Sequence, residues 1–163
     1  MGADFIAYLV GKNINNVWEA VGPYNKYGEL QPIMNCRGYI KDIFSDRGCG
    51  EAPKFDSYRH IDFNQEKYSE DLREAAGFGG TDDDLFDPEQ TYKWTSLAAI
   101  ASYINKYPTI DVYNEDSDEL YRTIENPVKE LYILATGIAE IMGFYIFDDL
   151  DLENFRIVYA VLY

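Results

Sequence analysis

The chain has 163 residues, 47% of them hydrophobic and 16% aromatic, which is enough apolar material for one folded domain over residues 1–163 and excludes a disordered chain. Its 29 acidic residues against 14 basic ones leave a formal net charge of −15, a surface that repels nucleic-acid phosphates and anionic membranes and favours a basic partner. The apolar start "MGADFIAYLVG" is short, lacks a basic leader and contains Asp4, so it reads as neither a signal peptide nor a membrane span and the chain is expected to be cytoplasmic.

In chain order, Asp4 to Val10 carries apolar groups at both odd and even positions, the pattern of a strand buried on both faces. "NVWEAVGPYNKYGELQP" follows with Gly22-Pro23 and Gly28 as punctuation, predicting a strand or short turn and then a loop. Cys36 and Cys49 are too few and too far apart for a zinc knuckle and read as ordinary thiols. "QEKYSEDLREAAG" has helix formers, early acids and Gly77 as a stop, so the spacing predicts a helix from Gln65; "GFGGTDDDLFDPEQ" then reads as an exposed loop.

Two further helices are better marked. Thr95 or Ser96 caps a run with Leu97, Ile100, Ala101 and Ile104 at helical spacing, which Pro108 halts. Asn126 as cap and Pro127 at the first helical position open a second, whose stripe of Leu131, Leu134, Ala135, Ile138, Ile141, Met142 and Tyr145 is expected to be core. The closing "FRIVYAVLY" again has apolar groups on both faces and reads as a strand beside the first. Together these predict an α+β fold: a mainly antiparallel sheet including the N- and C-terminal strands, with helices packed on one face.

No pattern in the chain specifies a catalytic centre. Asn114, Asp116, Asp118 and Glu125 fall at calcium-loop spacing, but the position that requires glycine is Glu119. The glycines Gly77, Gly79 and Gly80 lead into aspartates and lack the Lys-Ser or Lys-Thr of a phosphate loop. His60 is the one imidazole, and a dyad with Cys36 or Cys49 and Asp62 is conceivable but unplaced. In an extended segment, Asp149, Asp151 and Glu153 would share one side as hard-ion ligands. A small metal-dependent hydrolase or other enzyme using an acidic cluster or His60 is therefore carried as the rival reading, without a committed catalytic residue, metal or cofactor.

The acids themselves are unevenly spread. Asp82, Asp83, Asp84, Asp87 and Glu89, then Asp111, Glu115, Asp116, Asp118, Glu119 and Glu125, then Asp148, Asp149, Asp151 and Glu153 gather fifteen of the 29 into three clusters. Aromatics accompany each: Phe86 and Tyr92, Tyr113 and Tyr121, Phe147 and Phe155. Carboxylates with aromatic anchors compete for Arg- and Lys-rich grooves shaped for phosphates and stacking bases. The expected partner-binding residues are the acids of these clusters with Tyr113, Tyr121 and Phe86 as anchors.

"MGADFIAYLV", "RGYIKDIFSDRG" and "YKWTSLAAI" resemble a family of uncharacterised bacterial and phage proteins that begin "MGCDIH". The matching positions are Met1, Gly2 and Asp4, then Arg37 and Tyr39, then Trp94 and Leu97. The family's N-terminal cysteine and histidine positions are Ala3 and Ile6 here, and the region before its tryptophan is Thr91 to Lys93, so the resemblance implies a phage or mobile-element origin and carries no metal ligands with it. In size and acidity the chain is also similar to phage antirestriction and anti-CRISPR proteins. The resulting expectation is a non-enzymatic DNA-mimic-like inhibitor, acting in the host cytoplasm on a basic nucleic-acid-binding host protein. It would make no direct contact with nucleic acid or membrane, and a homo-oligomer and a structural or regulatory phage role remain open.

Overall fold

A computed structural model describes residues 4–45, 52–77, 91–113, 119–144 and 151–162. Strands β1 (Asp4–Lys12) and β9 (Phe155–Leu162) lie side by side in antiparallel register, Phe5 opposite Val161 and Gly11 opposite Phe155. The two ends of the chain thus form the centre of the sheet, as their two-sided apolar pattern predicts. β6 (Lys93–Ser96) adds antiparallel to β9, and the two-residue β4 (Arg59–His60) closes that edge.

On its other side β1 has two partners in succession. Its first half pairs with β3 (Met34–Cys36) and its second half with β2 (Val17–Gly22), with a register irregularity between Leu9 and Val10. β5 (Lys67–Tyr68) joins the outside of β2 in parallel. The fold is α+β around a mostly antiparallel sheet that includes both terminal strands.

Three helices cover one face: α1 (Ile40–Phe44), α3 (Leu97–Lys106) and α4 (Val128–Ile141). There Phe5, Ala7 and Leu9 of β1 and Ile157 and Tyr159 of β9 meet Phe44, Leu97, Ile100, Leu131 and Ala135. Phe44 stacks on Phe5 at 4.8 Å and meets the Tyr159 ring edge-on at 4.8 Å, a preferred aromatic geometry. The opposite face is smaller and is closed by α2 (Glu70–Ala75), whose Leu72 packs with Tyr8, Val10, Val158 and Ala160.

The cap signals hold. Ser96 Oγ accepts from Ala99 N at 3.0 Å, and Asn126 Oδ1 accepts from Val128 N at 3.0 Å. The α4 stripe needs correction: its buried line is Val128, Leu131, Ala135 and Ala139, while Ile141 is 83% and Met142 46% exposed. Ile141 falls off the core-facing side of the helix and Met142 stands past its last turn, where its side chain lies beside Gly22 at the end of β2 and stays half exposed; Tyr145 lies outside the described residues.

The helix expected from Gln65 starts only at Glu70. Tyr68 is drawn into the sheet instead, Ser69 N donates to Trp18 O, and Ser69 Oγ accepts from Ala20 N. Tertiary burial of one tyrosine overrides local helix propensity. α1 is a short helix that the sequence did not announce.

Candidate functional site

The described residues between Asp111 and Tyr121, for which the sequence marks no strand, contribute to a hairpin. β7 (Thr109–Tyr113) and β8 (Leu120–Glu125) form a separate antiparallel ribbon. The strand "TIDVY" forms because Ile110 and Val112 alternate with exposed residues, and β-branched side chains favour such a half-buried ribbon. Ile110 and its cross-strand partner Ile124 join the main core, anchoring the base beside Asn126, whose Nδ2 donates to Tyr107 O at 2.8 Å.

Register fixes which residues share the outer side. Asp111 stands opposite Thr123, Thr109 opposite Glu125, and, after an irregularity that skips Tyr121, Tyr113 opposite Leu120. Tyr113 is 37% and Tyr121 66% exposed, and Asp111, Glu119 and Glu125 are exposed as well. Asp111 Oδ1 accepts from Thr123 Oγ1 at 2.7 Å, Glu125 pairs with Lys129 at 2.5 Å, and Arg122 lies over the Tyr121 ring at 5.6 Å. Of the second cluster's described residues, Asp111, Glu125 and Tyr113 thus share one side of a ribbon, and the segments flanking the calcium-loop spacing are strands where such a loop has helices.

Asp151 and Glu153 lie on a 3-10 turn, Asp151–Asn154, so the alternation expected of an extended segment does not apply to them. The turn leads into Arg156, which pairs with Ser96, and therefore sits at the start of α3, whereas the hairpin leaves from its end. The ten residues of α3 span about 15 Å, which separates these two acidic groups. The candidates Asp82, Asp83, Asp84, Phe86, Asp87, Glu115, Asp116, Asp118, Asp148 and Asp149 lie outside the described residues. Two aromatics read as neighbours of the clusters, Tyr92 and Phe155, are buried at 3% and 5% exposure, so neither offers an accessible ring.

Residues of the rival enzymatic reading are not brought together. His60 is exposed on edge strand β4, and the path to Cys36 on β3 crosses β6, β9 and β1, four strand spacings or about 19 Å along the sheet. Asp62 is engaged in a local turn, accepting from Asn64 N at 2.9 Å. Cys49 lies outside the described residues. Among the described residues, no three His, Cys, Asp or Glu side chains are grouped to hold a metal ion.

Two constellations escape a reading of the sequence. The first is an acidic cleft of about 550 Å³ between the loop at Gly28, Glu29 and Leu30 and the helix face of Glu70, Asp71 and Glu74. Tyr24 Oη donates to Asp71 Oδ2 at 2.8 Å; partial burial, that bond, and the charges of Asp71 and Glu19 push its phenol up to about 12. Helix α2 belongs to the face of the sheet opposite α3 and α4, so acidic surface is present on both sides of the molecule.

The second is a buried stack. Arg156 lies 3.8 Å from the Trp18 ring centroid and 3.3 Å from that of Trp94, one ring on β2 and the other on β6. Its guanidinium makes a bidentate pair with Glu66 and donates to Tyr68 Oη at 3.1 Å. Burial, with the charge of Arg59, pushes Arg156 down to about 9, while the Glu66 carboxylate acts in the opposite sense, so the group is a cation at neutral pH. Arg156 within the otherwise apolar "FRIVYAVL" is the one sequence signal for it; the partners come from three separate segments.

Of the positions that carried the family resemblance, Asp4 and Arg37 meet as an exposed ion pair at 2.5 Å, because β1 and β3 set Phe5 opposite Cys36. Trp94 belongs to the stack and Leu97 to the main core. No protein-family model, curated protein or solved structure matches the chain.

Proposed function

We propose that the chain is a non-enzymatic acidic interaction protein, of phage or mobile-element origin, that occupies a basic nucleic-acid-binding site on a host defence protein in the manner of an antirestriction or anti-CRISPR inhibitor. The observation that carries the proposal is the β7–β8 hairpin, where Asp111, Glu125 and the Tyr113 ring share one side and Glu119 and Tyr121 are exposed beside them, on a chain of net charge −15. Carboxylates supply the charge that an Arg- and Lys-rich groove otherwise draws from phosphates, and the rings supply flat surfaces where bases would stack. A hairpin anchored by Ile110 and Ile124 holds these groups with less ordering cost than a free loop.

Asp151 and Glu153, at the other end of α3, add a second acidic group about one helix length, roughly 15 Å, from the hairpin. The acidic cleft beside α2 faces the other way and is not part of this surface.

The test is capture of basic proteins from a host lysate, followed by affinity measurements on the recovered partner. Reversing Asp111, Glu119, Asp151 and Glu153 to lysine should weaken binding by about 100-fold or more, and raising salt should weaken the parent complex steeply. Unchanged affinity in the fourfold variant would sink the proposal. The thermal stability of the variant is measured beside its affinity, because Asp111 gives up its hydrogen bond from Thr123, and a variant that stays folded at the assay temperature isolates the loss of charge.

A further inference from the structure

We propose that the open edge of β8 is a docking strand, which takes up an extended Lys- or Arg-bearing segment of the partner by backbone pairing. The inference rests on the acidic-surface reading above and adds to it the form of the partner. Among the described residues β8 pairs with β7 alone, so one row of its backbone N–H and C=O groups is offered outward. Such a row is a template for another strand, and folded proteins ordinarily shield it.

Exposure along the strand points the same way. Leu120 is 57% and Tyr121 66% exposed, and Arg122 and Thr123 are exposed beside them. A two-stranded ribbon is only marginally stable in water, and a third strand would complete both its ladder and its apolar cover.

Charge selects the occupant. On the outer face Leu120, Thr123 and Glu125 face Tyr113, Asp111 and Thr109 across the ribbon, so an added strand meets one apolar pair and then two pairs that each carry a carboxylate. Lysine or arginine at alternate positions would lay its aliphatic stem along Leu120 and Tyr113 and its charge at Asp111 and Glu125. A second copy of the chain is the wrong partner, because it brings net charge −15 against net charge −15.

A ten-residue peptide alternating lysine and valine is the probe, compared with the same peptide methylated at every backbone nitrogen and with a version carrying glutamate for lysine. The parent peptide should bind the whole protein and slow amide hydrogen exchange over Leu120–Glu125. The methylated peptide should bind weaker by about tenfold or more, having lost its strand donors but not its charge. Equal binding of the two basic peptides, or unprotected β8 amides at saturation, would overturn strand docking and leave the acidic-surface reading standing. Basic peptides that bind no better than the glutamate version would overturn both.

Discussion

Replacing Arg156 with methionine is expected to destabilise the protein by about 3–5 kcal/mol, the range for removing one partner of a buried ion pair. The loss has three parts. Glu66, whose side chain is 26% exposed, is left as a half-buried carboxylate without its cation. Tyr68 Oη loses its guanidinium donor at 3.1 Å. Trp18 and Trp94 lose a cation held between their faces, a contact whose strength grows with desolvation. The four partners come from β2, the segment before β5, β5 itself, and β6, so the stack ties both flanks of the sheet to its centre.

Arg156→Lys should recover less than half of that loss, because an ammonium offers neither the planar face that fills the space between two rings nor the fork that meets both Glu66 oxygens. Urea unfolding of the two variants provides the measurement. An Arg156→Met protein within about 1 kcal/mol of the parent would contradict this account, because Glu66 would then stand without its cation at little cost.

Raising the pH is expected to unfold the protein cooperatively above about pH 10, and the buried tyrosines set the sign. Burial raises the phenols of Tyr8, Tyr68, Tyr92 and Tyr103 above their ordinary value of 10.0. The folded state therefore keeps these protons at a pH where the unfolded chain releases them. Their contribution is complete below the unfolded value and is lost as pH rises toward the folded one, by up to about 1.4 kcal/mol per pH unit for each phenol.

Spectrophotometric titration should show two phases. The later phase is that of the buried phenols, which ionise only together with loss of secondary structure. Tyr92→Phe should move the second phase to higher pH, since it removes one strongly raised phenol from the face that also holds Tyr8 and Tyr68. A single smooth titration with the far-ultraviolet dichroism intact would contradict this account.

Some of this architecture is decided locally, and there the sequence is legible. The two-sided apolar runs at Asp4–Lys12 and Phe155–Leu162 require burial on both faces, and the sheet centre is where that is available. Ser96 before an apolar helical stripe, and Asn126 followed by Pro127, mark helix starts through hydrogen bonds that span two or three residues. The excess of acid is a property of composition and needs no fold.

Other features depend on residues far apart in the chain, and no periodicity records them. Tyr68 leaves its expected helix because Trp18, fifty residues earlier, offers a strand to pair with. Asp111 and Glu125 come to share one side because Ile110 meets Ile124 across a ribbon. Glu29 approaches Glu70, Asp71 and Glu74 only when α2 folds onto the second face of the sheet. Arg156 finds two tryptophans and a glutamate through strand order, not through spacing in the sequence. Composition determined the sign of this protein's charge, while long-range pairing decided which of the described acids stand together, because register and strand order bring side chains from distant segments to one side.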